Sequence, residues 1–353
     1  MKYFGKYFKH RLKEAIGYFL IITHILVVIA VMCDVSAVRF PDEDGTMRYS
    51  RIDSATYILF YAYSLITFIV PICEFSSLMN KRNSDTVASF PISKWGVTLA
   101  HYLVSVVVTV LSMLISYVII YFKVVAVTMS YGMDLAITLH GIIGFLLAIF
   151  FAISNIVIVS FIFSCANRLL DGIIFVGAWT IVPGILDPVY RWIFVDDMKF
   201  PKITIDIGDL SPTTYIREIG SYVSRYGYRN TFEDFMSSIT RPQYLARVCI
   251  LTIVAVLSFA GLYIISKRKK VEEIGDISDS WLGYKVLIPL YGVSIALLAV
   301  DSIIEILGAF VILPGMVSGY CLYRRGVRLR LPDIIWIAAT TGFALIGVLI
   351  LSA

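Results

Sequence analysis

Polar and ionisable side chains interrupt several long apolar segments of the sequence. Such residues are functional candidates by default, because a polar group in hydrocarbon must pair with another group or line a water-filled path. Asn155 lies in the middle of one segment, where an amide most often forms a hydrogen bond to a neighbouring helix. Asp187 lies between Pro183 and Pro188 in a broken segment, which favours a cavity or a re-entrant turn. We take Asn155 and Asp187 as candidates for lining a translocation path.

Four further ionisable residues lie near the ends of apolar segments, namely His101, His140, Asp301 and Glu305. Placement at the boundary between membrane and water accounts for each of them. We therefore expect them to have no functional role.

Motifs of catalysis and of nucleotide binding are absent from the sequence. No G-x-x-x-x-G-K-[ST] loop is present to hold ATP phosphates, and neither H-E-x-x-H nor G-x-S-x-G occurs. The five cysteines are scattered singly, so we expect neither disulfides nor a metal site. Basic residues cluster at membrane boundaries without the fold context of nucleic-acid binding. We expect a chain that is not an enzyme, needs no cofactor and binds no nucleic acid.

Composition places the chain among membrane proteins. Its 353 residues are 59% hydrophobic and 16% charged, with a mean hydropathy of +0.84. The apolar residues fall in long blocks, and about 20 of them suffice for a helix to cross the hydrocarbon core. We predict an all-α polytopic protein of the cell membrane with about nine transmembrane helices. The nine segments are Ile16–Val35, Ala55–Met79, Val97–Phe122, Ala136–Ser164, Ile173–Val195, Leu245–Ser266, Tyr284–Val300, Ser302–Tyr323 and Pro332–Ser352.

The distribution of lysine and arginine predicts the orientation. If the N-terminus is inside, the inner segments hold 18 of these residues and the longer outer segments hold 11. Basic residues are retained on the cytoplasmic side, so the N-terminus is predicted inside and the C-terminus outside. The inner segments are 1–17, 80–96, 165–171, 267–285 and 323–332. The outer segments are 36–54, 123–135 and 191–243.

The N-terminal residues form a basic and aromatic pattern of helical period. The pattern consists of Tyr3, Phe4, Tyr7, Phe8 and Leu12 on one side and Lys2, Lys6, Lys9 and Lys13 on the other. This predicts an amphipathic helix in the headgroup layer of an anionic leaflet. The alternative is an ordinary basic flank of the first span.

The inner segment between spans two and three carries its own helix signal. Ser84 is expected to cap a short helix through Ala88, and Pro91 to end it. Lys94 and Trp95 then mark the return to the membrane. We call residues 80–95 the coupling segment, for the reason that follows.

Two runs within the coupling segment resemble a known family. They are Lys81-Arg82-Asn83-Ser84-Asp85-Thr86 and Phe90-Pro91-Ile92-Ser93-Lys94. They resemble the coupling helix and the "P-I-S-basic" turn of the membrane permease subunit of type-2 class ABC transporters, a bacterial exporter-like family. That family also begins with an interfacial helix and carries an acidic residue near the end of span two, which Glu74 matches.

The resemblance implies a permease that moves a substrate, in the export direction, with ATP hydrolysed by a separate ATPase subunit. It implies a second permease chain, as a homodimer or a heterodimer, in the same bilayer. Residues 1–266 would form the six-span core, and residues 267–353 a basic linker and a three-span extension. The residues that it assigns to ATPase coupling are Glu74, Lys81, Arg82, Asp85, Pro91 and Lys94.

The long outer segment 196–243 supports an alternative function. It has mixed charge, a helix-start signal at Ser211-Pro212 and an amphipathic stretch from Tyr215 to Tyr228. The alternative is a membrane-embedded sensor or enzyme that acts through this segment. The substrate is not readable from the sequence under either hypothesis.

Overall fold

Helices make up most of the described chain. The structure, a computed structural model, describes residues 2–41, 47–131, 139–180, 212–223, 225–227, 242–269, 271–276, 278, 280–300 and 305–352. The α-helices in these residues are α1 (Lys2–Met32), α2 (Thr56–Ser76), α3 (Lys81–Ala88), α4 (Lys94–Ser130), α5 (Leu139–Ser164), α6 (Leu169–Thr180), α7 (Pro212–Val223), α8 (Pro242–Arg268), α9 (Tyr284–Val300), α10 (Glu305–Arg324) and α11 (Leu331–Ser352). Short 3-10 helices at Ser77–Met79 and Val271–Glu273 follow α2 and α8.

Five of the described helices, α1, α2, α4, α5 and α8, are long and apolar enough to cross a membrane. Helices α9, α10 and α11 occupy the positions of the last three predicted spans. Helix α6 overlaps only the start of the predicted span Ile173–Val195, and the rest of that span lies outside the described residues. The helices agree with an all-α polytopic membrane protein, whereas nine spans and the cell membrane stay predictions.

The predicted interfacial segment and the start of the first predicted span belong to one helix, α1. Residues Lys2–Met32 form one unbroken helix. The stretch contains no proline, and Gly17 lies within the helix. Tyr7 and Ala15 are almost fully buried against the protein. The N-terminal part of α1 is therefore packed onto the protein and continues directly into the first predicted span.

Helices α3 and α4 begin or end at other residues than predicted. Asn80 accepts a hydrogen bond from the Arg82 amide at 3.1 Å, so α3 begins before Ser84 and still ends at Ala88. Helix α4 continues past Phe122 to Ser130, into the predicted outer segment. At about 1.5 Å per residue, its 37 residues exceed the thickness of the hydrocarbon core.

A small antiparallel sheet joins two segments that were both predicted to be outside. Strands β1 (Val35–Pro41), β2 (Met47–Ser54) and β3 (Arg225–Gly227) lie in the order β1-β2-β3. The pairing of β2 with β3 brings the segment after span one next to the long segment before α8. The sequence analysis did not predict this sheet.

Lys269 joins three segments that were predicted inside or at the inner end of a span. Its ammonium donates to the carbonyl of Ser164 at 3.2 Å and to that of Ala166, and it lies 3.7 Å from the sulfur of Met79. A cation on the last carbonyls of α5 is favourable at a helix C-terminus. Burial lowers the pKa of Lys269 to about 8, so at neutral pH this ammonium is charged in most molecules. The predicted topology places all of these residues on the inner side, and that topology stays a prediction.

The chain divides into two compact units. The first comprises residues 1–75, 87–160 and 211–267, and the second comprises residues 76–86, 161–210 and 268–353. In the first unit, the rings of Tyr117 and Phe145 stack at 4.0 Å in the core. In the second, Phe175 of α6 packs against Tyr284 of α9. The second unit thus extends beyond the predicted extension at 267–353, because α6 packs with that extension.

The predicted topology can be tested with reporter fusions. A fusion after residue 270 should read as cytoplasmic, because basic residues cluster there, and a fusion at the C-terminus should read as external. Fusions that both read on the same side would contradict the nine-span arrangement.

Candidate functional site

A buried carboxylate at the end of α2 is the centre of a polar cluster in the first unit. The Glu74 side chain is fully buried, which is expensive for a carboxylate unless cations and donors surround it. Arg11 of α1 donates to its Oε2 from Nη2 at 3.1 Å. The Tyr18 hydroxyl, also from α1, donates to its Oε1. Glu74 therefore binds two side chains of one neighbouring helix.

His101 extends the cluster to a third helix. Its Nδ1 lies 3.0 Å from Oε2 of Glu74, and its Nε2 lies 3.0 Å from the hydroxyl of Tyr7. A neutral imidazole with its hydrogen on Nδ1 satisfies both contacts, since it donates to the carboxylate and accepts from the phenol. We call Tyr7, Arg11, Tyr18, Glu74 and His101 the Glu74 cluster. It connects α1, α2 and α4.

The charges of the Glu74 cluster balance. Arg11 and Glu74 are opposite charges, and Arg11 also pairs with Glu14, whose side chain is 47% exposed. Among the residues described, no group of histidine, cysteine and acidic side chains could hold a metal ion. The arrangement therefore suits a fixed link between helices rather than metal binding.

Local contacts explain the sequence of the turn before α4. Ser93 caps α4, because its hydroxyl accepts from the Gly96 amide at 3.1 Å. A side chain at Gly96 would come within 3.0 Å of Ile92, so the turn folds closely over the start of the helix. The Pro-Ile-Ser-Lys run is thus a helix start that follows α3 after a short turn.

The six predicted coupling residues do not lie in one cluster. Lys81, Arg82 and Asp85 are exposed along α3, and Pro91 and Lys94 are exposed in and after the turn. The remaining one, Glu74, is buried among the side chains of its cluster. The structure thus separates an exposed charged surface from a buried carboxylate.

Asn155 makes the predicted hydrogen bond between helices. Its amide donates to the Thr67 hydroxyl of α2 at 2.6 Å, and its side chain is buried. Asp187 lies outside the described residues. A translocation path through Asn155 and Asp187 stays a prediction.

The sequence analysis did not identify the partners of Glu74. It placed His101 at the membrane boundary, which stays a prediction, and did not predict that this side chain is fully buried in the protein. A signal was present in α1, since Tyr7, Arg11 and Tyr18 are four and seven residues apart and so lie on one face of the helix. Each of these side chains is long and ends in a hydrogen-bonding group, which suits a buried acid.

Part of the outer segment 196–243 is described. Helix α7 begins at Pro212, as predicted, and buries Ile216 and Ile219 in the core of the first unit. A side chain at Gly220 would overlap Phe60 of α2, so this helix packs closely on α2. The described helix of the segment is therefore firmly attached to the predicted spans.

No protein-family model matches this chain, and neither the curated proteins nor the solved structures contain a match. The family resemblance therefore rests on the quoted residues and their order.

Replacing the buried acid should destabilise the protein. We expect Glu74→Gln to lower the free energy of unfolding by about 3 kcal/mol, because the Arg11 side chain, only 15% exposed, then keeps its charge without the buried carboxylate. Thermal unfolding of the purified chain in detergent measures this effect.

Glu14→Gln is the matched control, because Glu14 pairs with the same arginine at an exposed position. It should change the stability by less than about 1 kcal/mol. Equal effects of the two substitutions would show that the burial of Glu74 does not increase its contribution to the free energy of unfolding.

Proposed function

We propose that this chain is the permease subunit of an ABC transporter of the type-2 exporter class. It moves a substrate across the cell membrane, in the export direction, and a separate ATPase subunit hydrolyses ATP. The substrate itself stays open.

One observation carries the proposal. Helix α3 is short, charged and exposed, and it lies in sequence between two helices that the Glu74 cluster ties to α1. Ordinary connections between spans need only a turn, whereas this one presents Lys81, Arg82 and Asp85 to solvent on a helix. Such a surface suits docking of a soluble partner.

The Glu74 cluster gives this docking surface a mechanical role. Helix α3 follows α2 and precedes α4 in the chain, so a displacement of α3 would act through the connecting residues on the end of α2 and on the capped start of α4. Because Glu74 binds both Arg11 and His101, these ends move together with α1. ATP-driven closure of the partner subunits would thus tilt three helices at once, instead of bending one loop.

The partners follow from the sequence and from the exposed apolar surfaces. The chain has no phosphate-binding loop, so ATP must bind to another subunit. Helix α8 leaves Val256 and Leu257 largely exposed, and these side chains need lipid or a second permease chain as a neighbour. The family resemblance favours a pair of permease chains for this role.

Charge reversal on α3 tests the docking. The tagged chain is purified from native membranes, together with the product of a neighbouring reading frame that carries a phosphate-binding loop and an ABC signature. Lys81→Glu with Arg82→Glu should reduce the amount of co-purified ATPase at least tenfold, because loss of charge pairs in an interface costs about 2–5 kcal/mol. The permease should still insert, since both residues are exposed.

The matched control reverses Arg325 and Arg328, which are equally exposed and belong to a predicted inner segment outside the coupling segment. This variant should retain the ATPase. Equal retention by the α3 reversal, or wild-type membranes without any such partner, would refute the proposal.

A further inference from the structure

A cavity lies in the second unit where α10 ends and α11 begins. Its volume of about 370 Å³ is within the range of small-molecule sites. The side chains that line it are Lys285, Tyr320, Tyr323, Arg324, Arg330, Pro332, Asp333 and Trp336. Neither the coupling segment nor the Glu74 cluster contributes to this cavity.

The lining is strongly basic. Among the described residues that line it, Lys285, Arg324 and Arg330 are basic and Asp333 is acidic, so this lining carries a formal charge of +2. The Asp333 carboxylate is already bound within the protein. It accepts from Arg324 at 3.0 Å and 3.3 Å and from the Arg330 amide at 2.9 Å.

The Asp333 carboxylate positions this basic lining. Its bond to the Arg330 amide is the reciprocal half of a helix cap, which fixes the first turn of α11 beside the cavity. Its two bonds to Arg324 hold that guanidinium over the Tyr323 ring, 4.6 Å from the ring centre. Asp333 therefore fixes the Arg324 guanidinium and the first turn of α11 at the wall of the cavity.

The aromatic residues indicate where the cavity lies relative to a membrane. Tyr320 and Tyr323 are buried, whereas Trp336 is about half exposed. Leu331 and Ile335, close to Trp336 in sequence, are largely exposed apolar residues of α11. Tryptophan and tyrosine beside exposed apolar side chains are typical of the headgroup level of a bilayer.

We propose that this cavity binds a phosphate group, carried by an anionic phospholipid or by a soluble phosphate compound. Basic pockets between helices at a membrane surface recognise phosphate headgroups through charge and hydrogen bonds. Lys285 and Arg330 bind the phosphate oxygens, and the ion pair of Arg324 with Asp333 fixes the cavity wall beside them. The exposed apolar side chains of α11 accommodate acyl chains when the source is a lipid.

Native mass spectrometry of the delipidated full chain tests the proposal. The probes are phosphatidylglycerol, the zwitterionic phosphatidylcholine, and inorganic pyrophosphate. Wild type should bind phosphatidylglycerol at least tenfold more tightly than phosphatidylcholine. Arg330→Gln and, independently, Lys285→Gln should weaken this binding about tenfold, the usual effect of losing a hydrogen bond from a charged group.

Arg328→Gln is the matched control, because Arg328 is exposed in the same connection and does not line the cavity. It should bind phosphatidylglycerol like wild type. Displacement of the lipid by pyrophosphate, with the same dependence on Arg330, would identify a soluble phosphate compound as the natural source. Absence of displacement would identify the lipid.

Three results would overturn the proposal. The first is equal binding of the anionic and zwitterionic lipids by wild type. The second is that the Arg330 and Lys285 variants bind phosphatidylglycerol and pyrophosphate as tightly as wild type does. The third is an equal loss of binding in the Arg328 control, which would show that only the overall charge of the connection matters.

Discussion

The architecture of the first unit depends on how the Glu74 carboxylate is neutralised. A fully buried carboxylate cannot remain without cations and donors, and its partners come from two other helices. Arg11 and Tyr18 fix α1 against α2, and His101 fixes α4 against both. This polar contact joins three largely apolar helices at one level.

The length of the apolar segments made much of the fold predictable. Uninterrupted segments of about 20 apolar residues must be helical in hydrocarbon, so the helices appear where the sequence places them. The hydrogen bond of Asn155 was predictable for the same reason, since a mid-span amide has only other helices as partners. The sheet was not, because strand β2 carries Arg48, Arg51 and Asp53 without apolar alternation.

Contacts distant in sequence were not predictable. The spacing of residues in the sequence does not show that Arg11, Glu74 and His101 meet, because the three residues lie far apart in the chain. The residues around the turn before α4 were recognisable as a pattern, and the structure explains part of it by local physics. Ser93 caps a helix and Gly96 permits a tight turn, which any similarly placed helix would require. The proposed function therefore depends on the exposed charges of α3 and on its position in the sequence between two helices of the Glu74 cluster.

Hydrogen–deuterium exchange in the Glu74→Gln variant tests the central claim, that one carboxylate ties three helices together. The account predicts faster amide exchange at the start of α4 and in residues 3–18 of α1, with α7 and α9 unchanged and with Glu14→Gln like wild type. Faster exchange confined to the last turn of α2 would contradict it, because Glu74 would then stabilise only its own helix.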